Sequence, residues 1–143
     1  GGIPPARILT KIKSLDDLNT LQRIDKKRLI YSLLWTDPGE ADDIPINLKA
    51  IFHAPFGKLQ FKAFMEKIGG RLMVRGHEAI KNGCEYTYPN SLVTIFSAGG
   101  KDNPHSFAYN NIIPRFLRIR DNHSLEAVKI QWHHFPDESV AGK

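Results

Sequence analysis

The chain is predicted to be an α/β protein of the α+β type, with helices in its first part and mostly antiparallel strands in its second. Three observations carry that expectation. Helical spacing of apolar residues dominates 15–68, short strand-forming runs dominate 71–133, and Gly69-Gly70 separates the two regimes. With 143 residues, 41% hydrophobic and 24% charged, the composition is that of a globular chain with a real core. Residues 1–143 read as a single domain or half-domain, with 136–143 a polar, frayed tail.

Taken in order, Gly1-Gly2-Ile3-Pro4-Pro5 predicts an extended or turning segment over 1–13 and no helix start. An independent domain seldom opens this way, so the glycines are either a cloning scar or the interior of a larger unit. Ser14-Leu15-Asp16-Asp17 has the spacing of a capping box, and a short helix over 15–21 is expected with Leu15, Leu18 and Leu21 on one side. A second helix is expected over 25–35, burying Leu29, Ile30, Leu33 and Leu34, and Asp37-Pro38-Gly39 ends it. Residues 37–50 are acidic and turn-rich, with Asp37, Glu40, Asp42 and Asp43 read as solvated acids, since their spacing is not that of a calcium loop. The clearest helix is 56–68, where Phe61, Phe64, Met65 and Ile68 form a core stripe closed by Gly69-Gly70. Strands are expected at 71–75, 84–88 and 92–97, with Pro89-Asn90 turning between the last two, and at 106–110, 115–120 and 125–133.

The net charge of +5 and pI near 9.4 suit an anionic partner such as a phosphorylated protein or nucleotide. The basic residues are scattered, and Lys26-Lys27-Arg28 is the longest cluster, which disfavours nucleic acid. The single cysteine, Cys84, excludes an internal disulfide and a Cys-rich zinc site, and is expected to be a buried, inert thiol. No apolar run approaches the roughly 18–20 residues that span a bilayer, and no signal-like layout opens the chain, so no membrane association and a cytoplasmic location are expected. GxGxxG, Walker A, CxxC, HExxH and GxSxG patterns are all missing.

What remains is the stretch 71–98, where Arg75-Gly76-His77-Glu78 stands at the end of an apolar strand. A polar His in that place is either a hydrogen-bonded structural residue or part of a metal or catalytic site. His77 aside, His53, His105, His123, His133 and His134 read as structural or exposed, and adjacent His133 and His134 face opposite sides of a strand. Trp35 and Trp132 read as packing residues.

Arg75-Gly76-His77-Glu78, Gly83 and the run Leu92-Val93-Thr94-Ile95-Phe96-Ser97-Ala98 resemble the RAHE block, the Gly and the LVTLFSAPNY strand of the PPP family of Ser/Thr protein phosphatases. Leu33-Leu34-Trp35-Thr36-Asp37-Pro38 is similar to the family's LLWSDP, Phe56-Gly57 to the FG opening its next helix, and Gly1-Gly2 to the glycines of its HGG segment. These landmarks stand in the family's order, and the resemblance covers residues 1 to about 120. It implies the C-terminal half of a four-layer αββα metallophosphoesterase sandwich. The half bearing GDxHG, GDxVDRG and GNHE, and the His that precedes the two glycines, are not in this sequence. On that ground the chain alone is expected to be inactive.

The resemblance further implies two divalent metal ions of the manganese, iron or zinc type. In the family these bridge a hydroxide that attacks phosphorus directly, and His77 would be a ligand of one of them. The family's phosphate-gripping Arg and its SAPNY Tyr are not matched. Lys49 is the nearest cation to the first place, with His53 a second candidate there, and Lys101 occupies the second, so Lys49 and Lys101 are the candidate phosphate contacts. Implied partners are a phosphorylated protein or a small phosphate ester, and either the missing N-terminal half or a second copy covering an exposed sheet face. A phosphoesterase for nucleotides or small esters, and a non-catalytic anion-binding or regulatory module, stay open as alternatives.

Overall fold

Helix α4 (Lys58–Ile68) forms where the apolar spacing predicts it, with Phe61, Phe64 and Met65 buried. Gln60 folds back so that its Oε1 accepts from the Gly57 N–H at 2.9 Å, which satisfies a donor the first turn leaves open. Gly69, at φ 65°, ends the helix in the left-handed conformation that glycine adopts without penalty. The computed structural model describes residues 1–44, 55–103, 107–121 and 124–132. The chain divides into two compact units, Gly1–Glu78 with Glu85–Ile95, and Ala79–Cys84 with Phe96–Lys143.

The first unit adds α1 (Ala6–Leu9), α2 (Asp17–Thr20), α3 (Arg23–Trp35), β1 (Met73–Arg75), all but the first residue of β2 (Cys84–Thr87), and β3 (Leu92–Ile95). Strand β3 is central in the order β1-β3-β2, and it pairs in parallel with β1, Met73 with Leu92 and Arg75 with Thr94. Ile3, Leu9, Ile12, Phe56, Phe61, Phe64, Met65 and Leu92 make one buried cluster. An isolated parallel bridge joins Pro38 to Phe56 and carries the segment that ends α3 back to the start of α4. Tyr88 secures that bridge: its hydroxyl, 2.6 Å from the Phe56 carbonyl and 2.9 Å from the Gly39 carbonyl, donates its one hydrogen between the two.

In the second unit β4 (Arg115–Ile119) and β5 (Leu125–Lys129) form an antiparallel pair. Arg115 ties the pair to the segment before Cys84, donating from Nε to the Asn82 carbonyl at 2.8 Å and from Nη1 to the Ala127 carbonyl at 2.8 Å. Gly83 has φ 70°, and a Cβ there would lie 1.9 Å from the Ile113 carbonyl oxygen, so only glycine fits. Among the described residues no helix is long and apolar enough to cross a membrane.

Four local expectations are corrected. Residues 6–9 are a helical turn, because Pro5 is held at φ −63°, a suitable entry for a helix whose first N–H groups are unpaired anyway. Only half of the capping box forms: Asp17 accepts from the N–H groups of Lys13 and Ser14, while no side chain caps the helix from its N-cap, Asp16. Helix α3 buries Asp25, Leu29 and Ser32, and leaves Ile30 at 57% and Leu34 at 55% exposed. The N-terminal segment causes this by lying tightly along the polar side of α3, where a Cβ on Gly2 would meet Thr36 Oγ1 at 1.9 Å. The strand expected at 106–110 is instead a 3-10 turn, Phe107–Tyr109, drawn in by the bonds from the Gly100 and Ile112 N–H groups to the Tyr109 carbonyl.

Candidate functional site

Strand β1 ends at Arg75, and the chain then turns outward through Gly76, His77 and Glu78. The Arg75 side chain is fully withdrawn from solvent. Its guanidinium is ion-paired to Asp37 through one terminal nitrogen and to Glu78 through the other. Nε donates to the Gly1 carbonyl at 2.6 Å, and Nη1 lies 3.4 Å from the Thr94 hydroxyl. A planar fork with five donors satisfies partners on several elements at once, as a lysine cannot. Through this one side chain the loop after β1 is tied to the segment after α3, to β3 and to the first residue.

His77 is exposed and sits at φ 85°, a left-handed backbone that costs a non-glycine residue about 1–3 kcal/mol. Such a conformation persists where its surroundings over-determine it, and the Arg75–Glu78 pair closes the loop on either side of His77. The ring meets Trp35 edge-on, with centroids 5.3 Å apart and planes at 88°. The imidazole is thus presented at a strand end beside an aromatic wall, and is not enclosed in the core. Among the described residues no three His, Cys, Asp or Glu side chains gather closely enough to hold a metal ion.

Lys101 belongs to the second unit, exposed in the turn that follows buried Gly99 and left-handed Gly100. Among the described residues it makes no ion pair. Trp132 fixes the base of that turn by donating from Nε1 to the Gly99 carbonyl at 2.7 Å. Lys49 and His53 lie outside the described residues, as do His105, His123, His133 and His134. Cys84 is half-buried, and burial pushes its thiol up, opposed in part by Arg115, which disfavours the nucleophilic thiolate. The residue that sequence reasoning missed is Asp37, taken for one solvated acid among four. The signal was available: two landmarks of the resemblance carry opposite charges, Asp37 in one and Arg75 in the other.

No family model matches the chain. A Ser/Thr-protein phosphatase of Caenorhabditis elegans is 33% identical over 90 residues, which cover 61% of this chain and 20% of the relative. The catalytic subunit of Ser/Thr-protein phosphatase 4 of Saccharomyces cerevisiae is 26% identical over 98 residues, 68% of this chain and 31% of that protein. In three dimensions the chain is similar to a Ser/Thr phosphatase from Saccharomyces cerevisiae described as similar to human phosphatase PP5. The TM-score is 0.66 at 20% identity, over 96% of this chain and 44% of the other. At that identity the likeness is one of fold, and it bears out the expected α/β architecture.

Proposed function

We propose, from its relation to Ser/Thr protein phosphatases over 20–31% of their length, that this chain is the His77-bearing part of a metal-dependent phosphomonoesterase. The observation that supports this reading is the exposed imidazole of His77, held in a strained loop at a strand end by a buried arginine. His77 would offer a neutral ring nitrogen to one of two divalent ions, which when bound supply Lewis acidity and an activated water. Arg75, Asp37 and Glu78 hold the loop in place. Lys49 and Lys101 are the cations proposed to draw the phosphate.

The test is hydrolysis of p-nitrophenyl phosphate by the full gene product with manganese. His77→Ala should lower turnover by more than about 100-fold, exceeding the loss typical of a residue that only supports a ligand. Lys49→Ala and Lys101→Ala should each raise KM about tenfold, the worth of one charge-assisted hydrogen bond. Turnover indifferent to His77→Ala overturns the reading. No turnover in either protein favours the anion-binding alternative, whose mark is strongly salt-dependent association with polyanions. The lysines at both phosphate-contact places keep small esters in view, and a panel setting phosphopeptides against dinucleoside polyphosphates decides the substrate class.

A further inference from the structure

A cavity of about 370 Å³ opens on the first unit between α4 and the turn that joins β2 to β3. Its apolar part is made by Phe61, Met65 and Tyr88, and its rim by Lys58, Lys62 and Arg71 against one carboxylate, Glu66. The wall is rigid. Tyr88 at φ 49° and Asn90 at φ 61° set a tight turn, and the Tyr88 hydroxyl is anchored on two backbone carbonyls. The rim charges are by contrast available. Lys58 pairs with Asp42 and Lys62 with Glu66 only at 3.8 Å between exposed side chains, where ion pairs are weak and screened by salt. Among the described residues no carboxylate pairs with Arg71.

We propose that this cavity docks a short acidic segment of a partner protein, with one apolar side chain seated against the half-buried Tyr88 ring, above the buried Phe61 and Met65, and flanking carboxylates on Lys58, Lys62 and Arg71. Lys58 and Lys62 are one helical turn apart, about 6 Å along the axis. Alternate side chains of an extended peptide repeat at roughly 6.6 Å, so carboxylates two residues apart meet both lysines. Arg71, beyond the end of α4, offers a planar fork for a third carboxylate. Met65 lets the floor adapt to either an aliphatic or an aromatic anchor. A nucleic acid would need open aromatic faces for successive bases, whereas Phe61 is buried and the half-buried Tyr88 offers one ring, enough for a single apolar anchor. None of these residues is His77, Lys49 or Lys101, so the inference stands or falls apart from the catalytic reading.

Fluorescence anisotropy on the full chain tests it, with a labelled peptide in which a single leucine is flanked by aspartates and glutamates. Three comparisons are made: the same peptide with alanine for leucine, the peptide with lysines for its acids, and a single-stranded oligonucleotide. Arg71→Glu and Lys62→Glu, both at exposed positions and checked by circular dichroism, should each raise Kd about tenfold or more. The alanine peptide should weaken to a similar degree, and the lysine peptide should not bind. Equal affinity for the leucine and alanine peptides, or for the oligonucleotide, would reduce the site to a general anion patch and overturn the proposal. So would unchanged binding by the Arg71→Glu, Lys62→Glu double variant.

Discussion

Arg75 carries a positive charge with no access to water, and two carboxylates, Asp37 and Glu78, each about one-third exposed, neutralise it. Removing one side of a buried pair leaves the other uncompensated, so Arg75→Ala should destabilise the fold by roughly 3–5 kcal/mol. Urea denaturation measures this, and a loss below about 1 kcal/mol would mean that the network is an incidental surface pair. Arg75→Lys restores the charge but not the fork and should recover only part of the stability. The same network explains the strain at His77. The loop is held at both ends, and a positive φ is what remains for the residue between.

Helix α3 shows how burial follows contact and not apolarity alone. Its inner side carries Asp25, a residue 2% exposed whose carboxylate is ion-paired to Lys11. Among the described residues its Oδ1 finds no hydrogen-bond partner, which makes the Lys11 contact the more important. The hydrogen bond from Lys11 holds the Asp25 carboxyl below its ordinary value of 3.8, against the opposing effect of burial. A depressed pKa in the folded state adds stability above that ordinary value, and the contribution is lost as pH falls through the folded one. Lys11→Met leaves burial as the dominant influence and should push the carboxyl up. The variant should therefore melt lower than wild type at neutral pH, with the gap narrowing as pH falls toward and through 3.8. A gap of constant size across a series of thermal melts would show that Lys11 acts through packing alone.

The outer side of α3 leaves Ile24, Ile30, Leu34 and Trp35 between 45% and 59% exposed, and Val74 and Tyr86 of the three-stranded sheet are exposed as well. Apolar surface of this extent marks a face that is normally covered. We propose that, when the chain is alone, a second copy covers it. By itself the chain should then self-associate as its concentration rises, and Ile30→Glu with Leu34→Glu should abolish this without disturbing a helix that already exposes both positions. Sedimentation velocity decides: a monomer at every concentration would remove the need for a cover.

Much of this arrangement was legible beforehand. Helix α4, the five strands to within a few residues at most ends, and the position of His77 after β1 all follow from apolar period and glycine punctuation, which are local properties of the chain. The single turn after Pro5 and the 3-10 turn at Phe107–Tyr109 are too short to show a period. Spacing marked α3 as a helix but put Ile30 and Leu34 on the wrong side, because a periodic pattern does not say which neighbour will lie against it. The pairing of Asp37 with Arg75 joins residues 38 apart in sequence, and the cavity beside α4 is closed by a turn some 20 residues beyond it. The longer elements and the place of His77 at a strand end were thus determined by the sequence alone. Which faces are buried, which charges meet, and where a pocket opens were decided only in the tertiary structure, since these depend on long-range contacts that no local window contains.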